Sequence, residues 1–177
     1  MIKFFMEPDY DVKKPEREYG NSGIDCFIPF MNKAFETAFN LKNNVENAYL
    51  KYNSENDSWS IRIPAHGRAN IPSGVRSRIP VNIALEAQNK SGIATKLGLV
   101  YGASTVDSSY KGIIHISVIN TTTEEIDLPL GMKLVQFIPR VIDPDDIEVH
   151  DNMTLEEFYA DFEFDNRGEG AFGSTGV

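Results

Sequence analysis

Apolar residues recur at every second position over much of the chain. Val81, Ile83, Leu85 and Ala87 follow this spacing, as do Trp59, Ile61 and Ile63, and Ile114, Ile116 and Val118 with His115 and Ser117 between them. Period two is the spacing of a strand with one buried face. The runs are short, rich in β-branched residues, and punctuated by Ala65-His66-Gly67, Pro72-Ser73-Gly74 and Pro129-Leu130-Gly131. Together they predict an all-β antiparallel barrel or jelly roll with tight turns. Two stretches change period. Residues 31–41 carry Phe35, Ala38 and Phe39 at helical spacing, and Thr154-Leu155-Glu156-Glu157 is a capping-box pattern that opens a stripe of Leu155, Phe158, Tyr159 and Phe162. Both are expected to be short packing helices. Tyr49 to Tyr52 is expected to pair with Trp59 to Ile63 as a hairpin.

At 177 residues the chain has the length of one ordinary domain. Its apolar runs are only a few residues long, and Ile2–Phe5 gives way at once to Glu7 and Asp9. Neither a signal peptide nor a membrane span is expected, which suits a soluble protein of the cytoplasm. The one cysteine, Cys26, has no internal disulfide partner, and His66, His115 and His150 are too scattered for a structural zinc. Cys26 reads as a small buried apolar residue.

The net charge of −9 argues against nonspecific nucleic-acid binding, and its distribution is uneven. Residues 141–166 hold ten of the 26 acidic residues and none of the 17 basic ones, so the remainder is close to neutral. That segment reads as an acidic connector with a short helix, leading to a Gly-rich tail over residues 167–177.

Candidate chemistry lies in the loops. The tail, Arg167-Gly-Glu-Gly-Ala-Phe-Gly-Ser-Thr-Gly176, supplies backbone amides that can approach an anion, two hydroxyls, a guanidinium and a ring. Such a set suits a nucleotide phosphate chain, but no Lys follows the glycines as in a Walker A loop. Asn89-Lys90-Ser91-Gly92 adds a cation and a hydroxyl beyond an apolar strand. Between two strands, Asp107 and Tyr110 stand three residues apart, where one turn can present a carboxylate and a ring to one ligand. Asp25, between Ile24 and Cys26, is costly to bury unless paired. Gln136, between Val135 and Phe137, raises the same question.

Taken in order, five segments resemble the trimeric dUTPase family: Ser22-Gly-Ile-Asp-Cys26; Asn89-Lys-Ser-Gly-Ile-Ala94; Gly102-Ala-Ser-Thr-Val-Asp-Ser-Ser-Tyr-Lys-Gly112; Gly131-Met-Lys-Leu-Val-Gln-Phe-Ile138; and the tail from Arg167 to Gly176. The third and fifth are the specific ones. The resemblance covers roughly residues 20–30 and 59–177. Lys90 stands where the family usually has Arg, which keeps the charge but loses the bidentate fork. Residues 30–58 have no counterpart in a minimal family member and read as an inserted helix plus hairpin, which could add a protein partner.

The resemblance implies a distorted jelly-roll barrel, assembled as a homotrimer, with residues 1–140 forming the barrel. It also implies Mg²⁺-assisted hydrolysis of dUTP to dUMP and pyrophosphate. Asp107 would be the general base toward a water attacking the α-phosphorus, with Gln136 and Arg167 in the catalytic set. Lys90, Ser91, Gly92, Gly173, Ser174 and Thr175 would hold the phosphates. Gly102, Ala103 and Tyr110 would receive uracil and deoxyribose, and Phe172 would close over the base. Mg²⁺ would be held mainly by the triphosphate. Asp25 would reach either the metal's water shell or a subunit contact. Each tail would close the site of a neighbouring subunit.

Alternatives remain at this level. A dCTP deaminase-like enzyme needs a glutamate after the hairpin strand, where this chain has Ile114-His115-Ile116-Ser117. A regulatory protein could keep the fold without the chemistry. A capsid or lectin-like jelly roll would have no use for the tail.

Overall fold

Residues 1–142 and 149–160 are described in this computed structural model. They form twelve strands and three short helices. The strands are β1 (Lys3–Met6), β2 (Ile24–Phe27), β3 (Tyr49–Asn53), β4 (Ser58–Ile63), β5 (Arg68–Pro72), β6 (Val75–Arg78), β7 (Ile83–Gln88), β8 (Leu99–Tyr101), β9 (Thr105–Val106), β10 (His115–Asn120), β11 (Ile126–Pro129) and β12 (Lys133–Val141). The helices are α1 (Lys33–Asn40), α2 (Ser91–Leu97) and α3 (Leu155–Phe158). Among these helices none is long and apolar enough to cross a membrane.

The ladders are all antiparallel. They form sheets ordered β2-β12-β7-β9, β5-β10-β8, β11-β4-β3 and β1-β6. Most period-two residues face inward as expected: Ile61, Ile63, Leu85, Ile114, Ile116 and Val118 are all buried, whereas Trp59 near the start of β4 is exposed. Val81 differs. It is 77% exposed, because the Ile83 N–H donates to Pro80 O at 3.0 Å and closes a turn, so the strand begins two residues later. Gly131 serves another predicted turn at φ +78, and a Cβ there would strike the Phe30 ring.

The 30–58 segment is part of this core. Asn32 caps α1 by accepting from the Phe35 N–H at 2.9 Å, and Phe35 and Phe39 are fully buried one turn apart. Asn43, just beyond the helix, donates to Phe39 O at 2.8 Å and to Asn70 O at 2.9 Å, and accepts from the Asn70 N–H at 2.8 Å. These bonds tie the segment to β5. The expected hairpin forms, with Tyr52 opposite Trp59 and Tyr49 opposite Arg62.

The chain divides into two units, residues 1–142 and 143–177. In the second, the Thr154 capping box is present, with its side chain accepting from the Glu157 N–H and Glu157 accepting from the Thr154 N–H. Within the described residues of this unit, Phe158 meets the rings of His150 and Tyr159, and Leu155 and Phe158 are 68% and 51% exposed. A four-residue helix is too short to bury a face, and Phe162 of the expected stripe lies outside the described residues. Helix α2 was not expected from the sequence. Its seven residues show only Ile93 and Leu97 as a pattern, and Gly98 ends it in the left-handed region at φ 62.

Candidate functional site

Strands β2, β12 and β7 lie side by side and bring three distant segments to one level. Gln136 of β12 pairs with Asp25 on one side and Gln88 on the other. Directly paired residues share a face. At Gly23 the backbone runs so close to Gln136 that a Cβ would sit 2.7 Å from its Oε1. Only glycine fits there.

Lys90 follows β7 and occupies the N-cap position of α2 without a capping side chain of its own. Its ammonium turns back to Asp25, with Nζ 2.5 Å from Oδ1. Lys133 reaches the other oxygen, Oδ2, at 3.0 Å and also Glu16 Oε1 at 2.7 Å. The pairing demand that the sequence placed on Asp25 is thus met twice. Burial pushes the Asp25 carboxyl up, but the hydrogen bonds from Lys90 and Lys133 outweigh it and hold the group below its ordinary value. The same carboxylates, Glu16 first and then Asp25, push the Lys133 ammonium up. Cys26, next to Asp25, is 2% exposed, and burial with the nearby carboxylate pushes its thiol to about 12. It is a packed, unreactive residue, as expected.

Beyond Lys90 the first turn of α2 presents Ser91 and Gly92, and a Cβ on Gly92 would meet nothing within 4 Å. Helix-start N–H groups have no intrahelical partner. Asn89 joins this end to the next segment: its Oδ1 accepts from the Tyr101 N–H at 3.3 Å, and its carbonyl lies 3.5 Å from Gln136 Nε2. The Tyr101 hydroxyl donates to Leu134 O at 2.5 Å. Gly102 and Ala103 follow immediately.

Gly102 begins a hairpin whose base is fixed by its N–H donating to Ser117 O at 3.0 Å. At the tip the Tyr110 N–H donates to Asp107 O at 3.1 Å, and the Tyr110 hydroxyl donates to Ile113 O at 2.9 Å. Asp107 is exposed and Tyr110 is 42% exposed. Beside the tip a groove of about 540 Å³ is lined by Phe4, Phe5, Arg76, Ser108, Tyr110 and Lys111, among others. Its size is that of a small-molecule site.

The expected residues therefore fall into two groups. Asp25, Lys90, Ser91, Gly92 and Gln136 converge, with Gly102 and Ala103 close by, whereas Asp107 and Tyr110 stand at the hairpin tip. Arg167, Phe172, Gly173, Ser174 and Thr175 lie outside the described residues. Sequence reasoning missed Lys133, Glu16 and Asn89 as members of the first group. Only Asn89 gave a signal, through its place beside Lys90.

The donor set speaks to a metal. Among the described residues no three Asp, Glu, His or Cys side chains come together. Both Asp25 oxygens are engaged by lysines.

Comparison with known proteins decides the family. The family model described as dUTPase matches residues 58–176. The chain belongs to the dUTPase family. A deoxyuridine 5'-triphosphate nucleotidohydrolase of Yarrowia lipolytica is 34% identical over 116 residues, which is 65% of this chain and 69% of the relative. The Arabidopsis thaliana protein of the same name is 27% identical over 174 residues, covering 97% of each chain. Among solved structures, the dUTPase of Staphylococcus bacteriophage 80alpha with dUPNHPP has a TM-score of 0.68 at 16% identity, covering 100% of this chain and 99% of its own. A mutant dUTPase from phage phi11 of S. aureus, described with a structural Mg(II) ion, has a TM-score of 0.63 at 16% identity, covering 88% of this chain and 99% of its own. The fold is thus dUTPase-like, and the dCTP deaminase alternative is not favoured.

Proposed function

We propose that this member of the dUTPase family hydrolyses dUTP to dUMP and pyrophosphate by the following division of labour. Lys90 and Gln136, with the first-turn N–H groups at Ser91 and Gly92, receive the triphosphate. A phosphate oxygen competes with Asp25 for the Lys90 ammonium, and Lys133 remains to hold Asp25 in place. Asp107 accepts a proton from a water that attacks the α-phosphorus. The α-phosphorus-to-bridging-oxygen bond breaks and pyrophosphate leaves. The hairpin carrying Gly102, Ala103 and Tyr110 takes the base and sugar, with the Tyr110 ring leaving no room for a 2'-hydroxyl. Arg167, Gly173, Ser174 and Thr175 cover the phosphates, and Phe172 covers the base. Mg²⁺ carried by the triphosphate offsets its charge and fixes its geometry. Asp25 serves this ion through its water shell at most, since both its oxygens are held by lysines.

The chain acts as a homotrimer, with each Gly-rich tail completing a neighbour's site. Residues 1–140 form the catalytic body, 141–166 the acidic connector and 167–177 the closing tail, and residues 30–58 are an insertion. Dependence on a free intracellular nucleotide would suit a cytoplasmic setting.

The observation that carries this reading is the meeting of Asp25, Lys90 and Gln136 from three separate segments on adjacent strands. Incubation with dUTP, dCTP, dTTP and UTP in the presence of Mg²⁺ tests it. Pyrophosphate and dUMP are expected from dUTP alone, whereas released ammonia or equal turnover of all four would overturn it.

A further inference from the structure

A second cationic site lies where the 30–58 segment meets the sheet. Arg68 and Asn70 project from one face of β5, and Ser117 of β10 pairs with Asn70 on that face. Lys42, Asn43 and Asn47 from the 30–58 segment form the opposite wall of a cleft of about 230 Å³. Asn43 is fixed by its three hydrogen bonds to Phe39 and Asn70, so the two walls are held in register. Asn43 thus fixes the floor of the cleft, with the exposed Lys42 and Arg68 at its sides.

The cleft is locally cationic. The chain outside residues 141–166 is close to neutral, and this cleft is lined by two cations, three carboxamides and a hydroxyl, with no carboxylate. Among the described residues, neither Lys42 nor Arg68 makes an ion pair, and the side chains of Asn47, Asn70 and Ser117 make no hydrogen bond. Cations in such a setting attract an anion, and the neighbouring amides and hydroxyl add directed donors. The volume is below that of drug-sized ligand pockets, which excludes a whole nucleoside triphosphate but admits a small anion.

We propose that this cleft binds a small phosphoryl anion, inorganic phosphate or pyrophosphate, at a site separate from the nucleotide site. Arg68 supplies a planar fork and Lys42 a point charge, with Asn47 and Ser117 as directed donors. The site also gives the 30–58 segment a role, since that segment supplies three of the seven lining residues. It adjoins the hairpin base: a Cβ on Gly102 would lie 2.7 Å from Ser117 Oγ.

The test uses the full-length assembled protein with its nucleotide sites saturated by a non-hydrolysable imido analogue of dUTP and Mg²⁺. Phosphate and pyrophosphate are titrated separately by calorimetry at constant ionic strength, against sulfate and chloride. One further site per chain for at least one phosphoryl anion is expected, weakened at least tenfold in Lys42→Ala/Arg68→Ala while dUTP turnover stays within about twofold of the parent. A milder Ser117→Ala variant should weaken binding in the same direction, and it keeps the test decisive if the double variant fails to fold. No heat beyond that of chloride in the parent, or equal binding in parent and variants, would overturn the proposal. Failure of the analogue to bind would count against the dUTP reading alone, because the cleft can then be titrated without it.

Discussion

Asp107 and Lys90 stand at opposite ends of β7. The β7–β9 register places Val106 opposite Leu85, which puts Asp107 level with Ala84 near the start of the strand, whereas Lys90 lies just past its end. Six residues of extended chain between Ala84 and Lys90 put the two levels about 20 Å apart. The proposed site is shared between subunits, with Asp107 from one chain and the tail carrying Arg167 and Phe172 from another.

Complementation tests that reading. A chain truncated after Asp165 and a chain carrying Asp107→Ala are each expected to be inactive. Co-refolded into mixed trimers, they should regain part of the activity, because some sites then combine an intact Asp107 with an intact tail from another chain. Mixed trimers confirmed by mass that stay inactive would leave each chain to complete its own site.

Asp107→Asn should bind the dUTP analogue nearly as well as the parent and lose at least about a hundredfold in kcat, the usual scale for a general base. Binding measured by calorimetry and turnover measured by pyrophosphate release separate the two effects. Turnover within threefold of the parent would remove Asp107 from the reaction.

Asp25 gives a pH dependence with a defined sign. Its carboxyl is lower in the folded protein than its ordinary value of 3.8, burial being outweighed by Lys90 and Lys133. A depressed value means the unfolded chain takes up the proton first, so the contribution is complete above the ordinary value and fades as pH falls through the folded one. Asp25→Asn should cost about 2 kcal/mol of stability at neutral pH, the scale of a hydrogen bond to a charged group. Denaturant midpoints of parent and variant should differ by a constant amount from about pH 5 to 8 and converge below about pH 4.

Tyr110→Ala should narrow the preference for dUTP over UTP, because it removes a wall from the sugar pocket without leaving a buried polar group unpaired. Tyr110→Phe, which loses only the hydroxyl bond to Ile113 O, should keep the preference. The ratio of the two kcat/KM values reads both outcomes.

The 30–58 segment should prove necessary for the fold but not for the chemistry. Phe39 is fully buried, so Phe39→Ala should cost about 3–5 kcal/mol while the folded fraction keeps its kcat/KM. Replacement of the whole segment by a short Gly/Ser turn would strip Phe35, Phe39 and Ala48 from the core and is expected to unfold the body.

The sequence alone determined the strands with clean period-two spacing, the α1 helix, the β3–β4 hairpin and the family, because these rest on local patterns and on short motifs in a fixed order. It also determined that Asp25 needs a partner. Tertiary structure decided which partner. Lys133 and Gln136 are three residues apart, and in a regular strand they would face opposite sides. The register shift between Lys133 and Val135 adds a residue to β12 and brings both to the Asp25 strand. A bulge is a property of two strands together, so it leaves no mark in either one. The turn that excludes Val81 from β7 was likewise decided by neighbours. Local spacing states which face of an element is apolar, but only the assembled sheets decide whether anything is there to cover it.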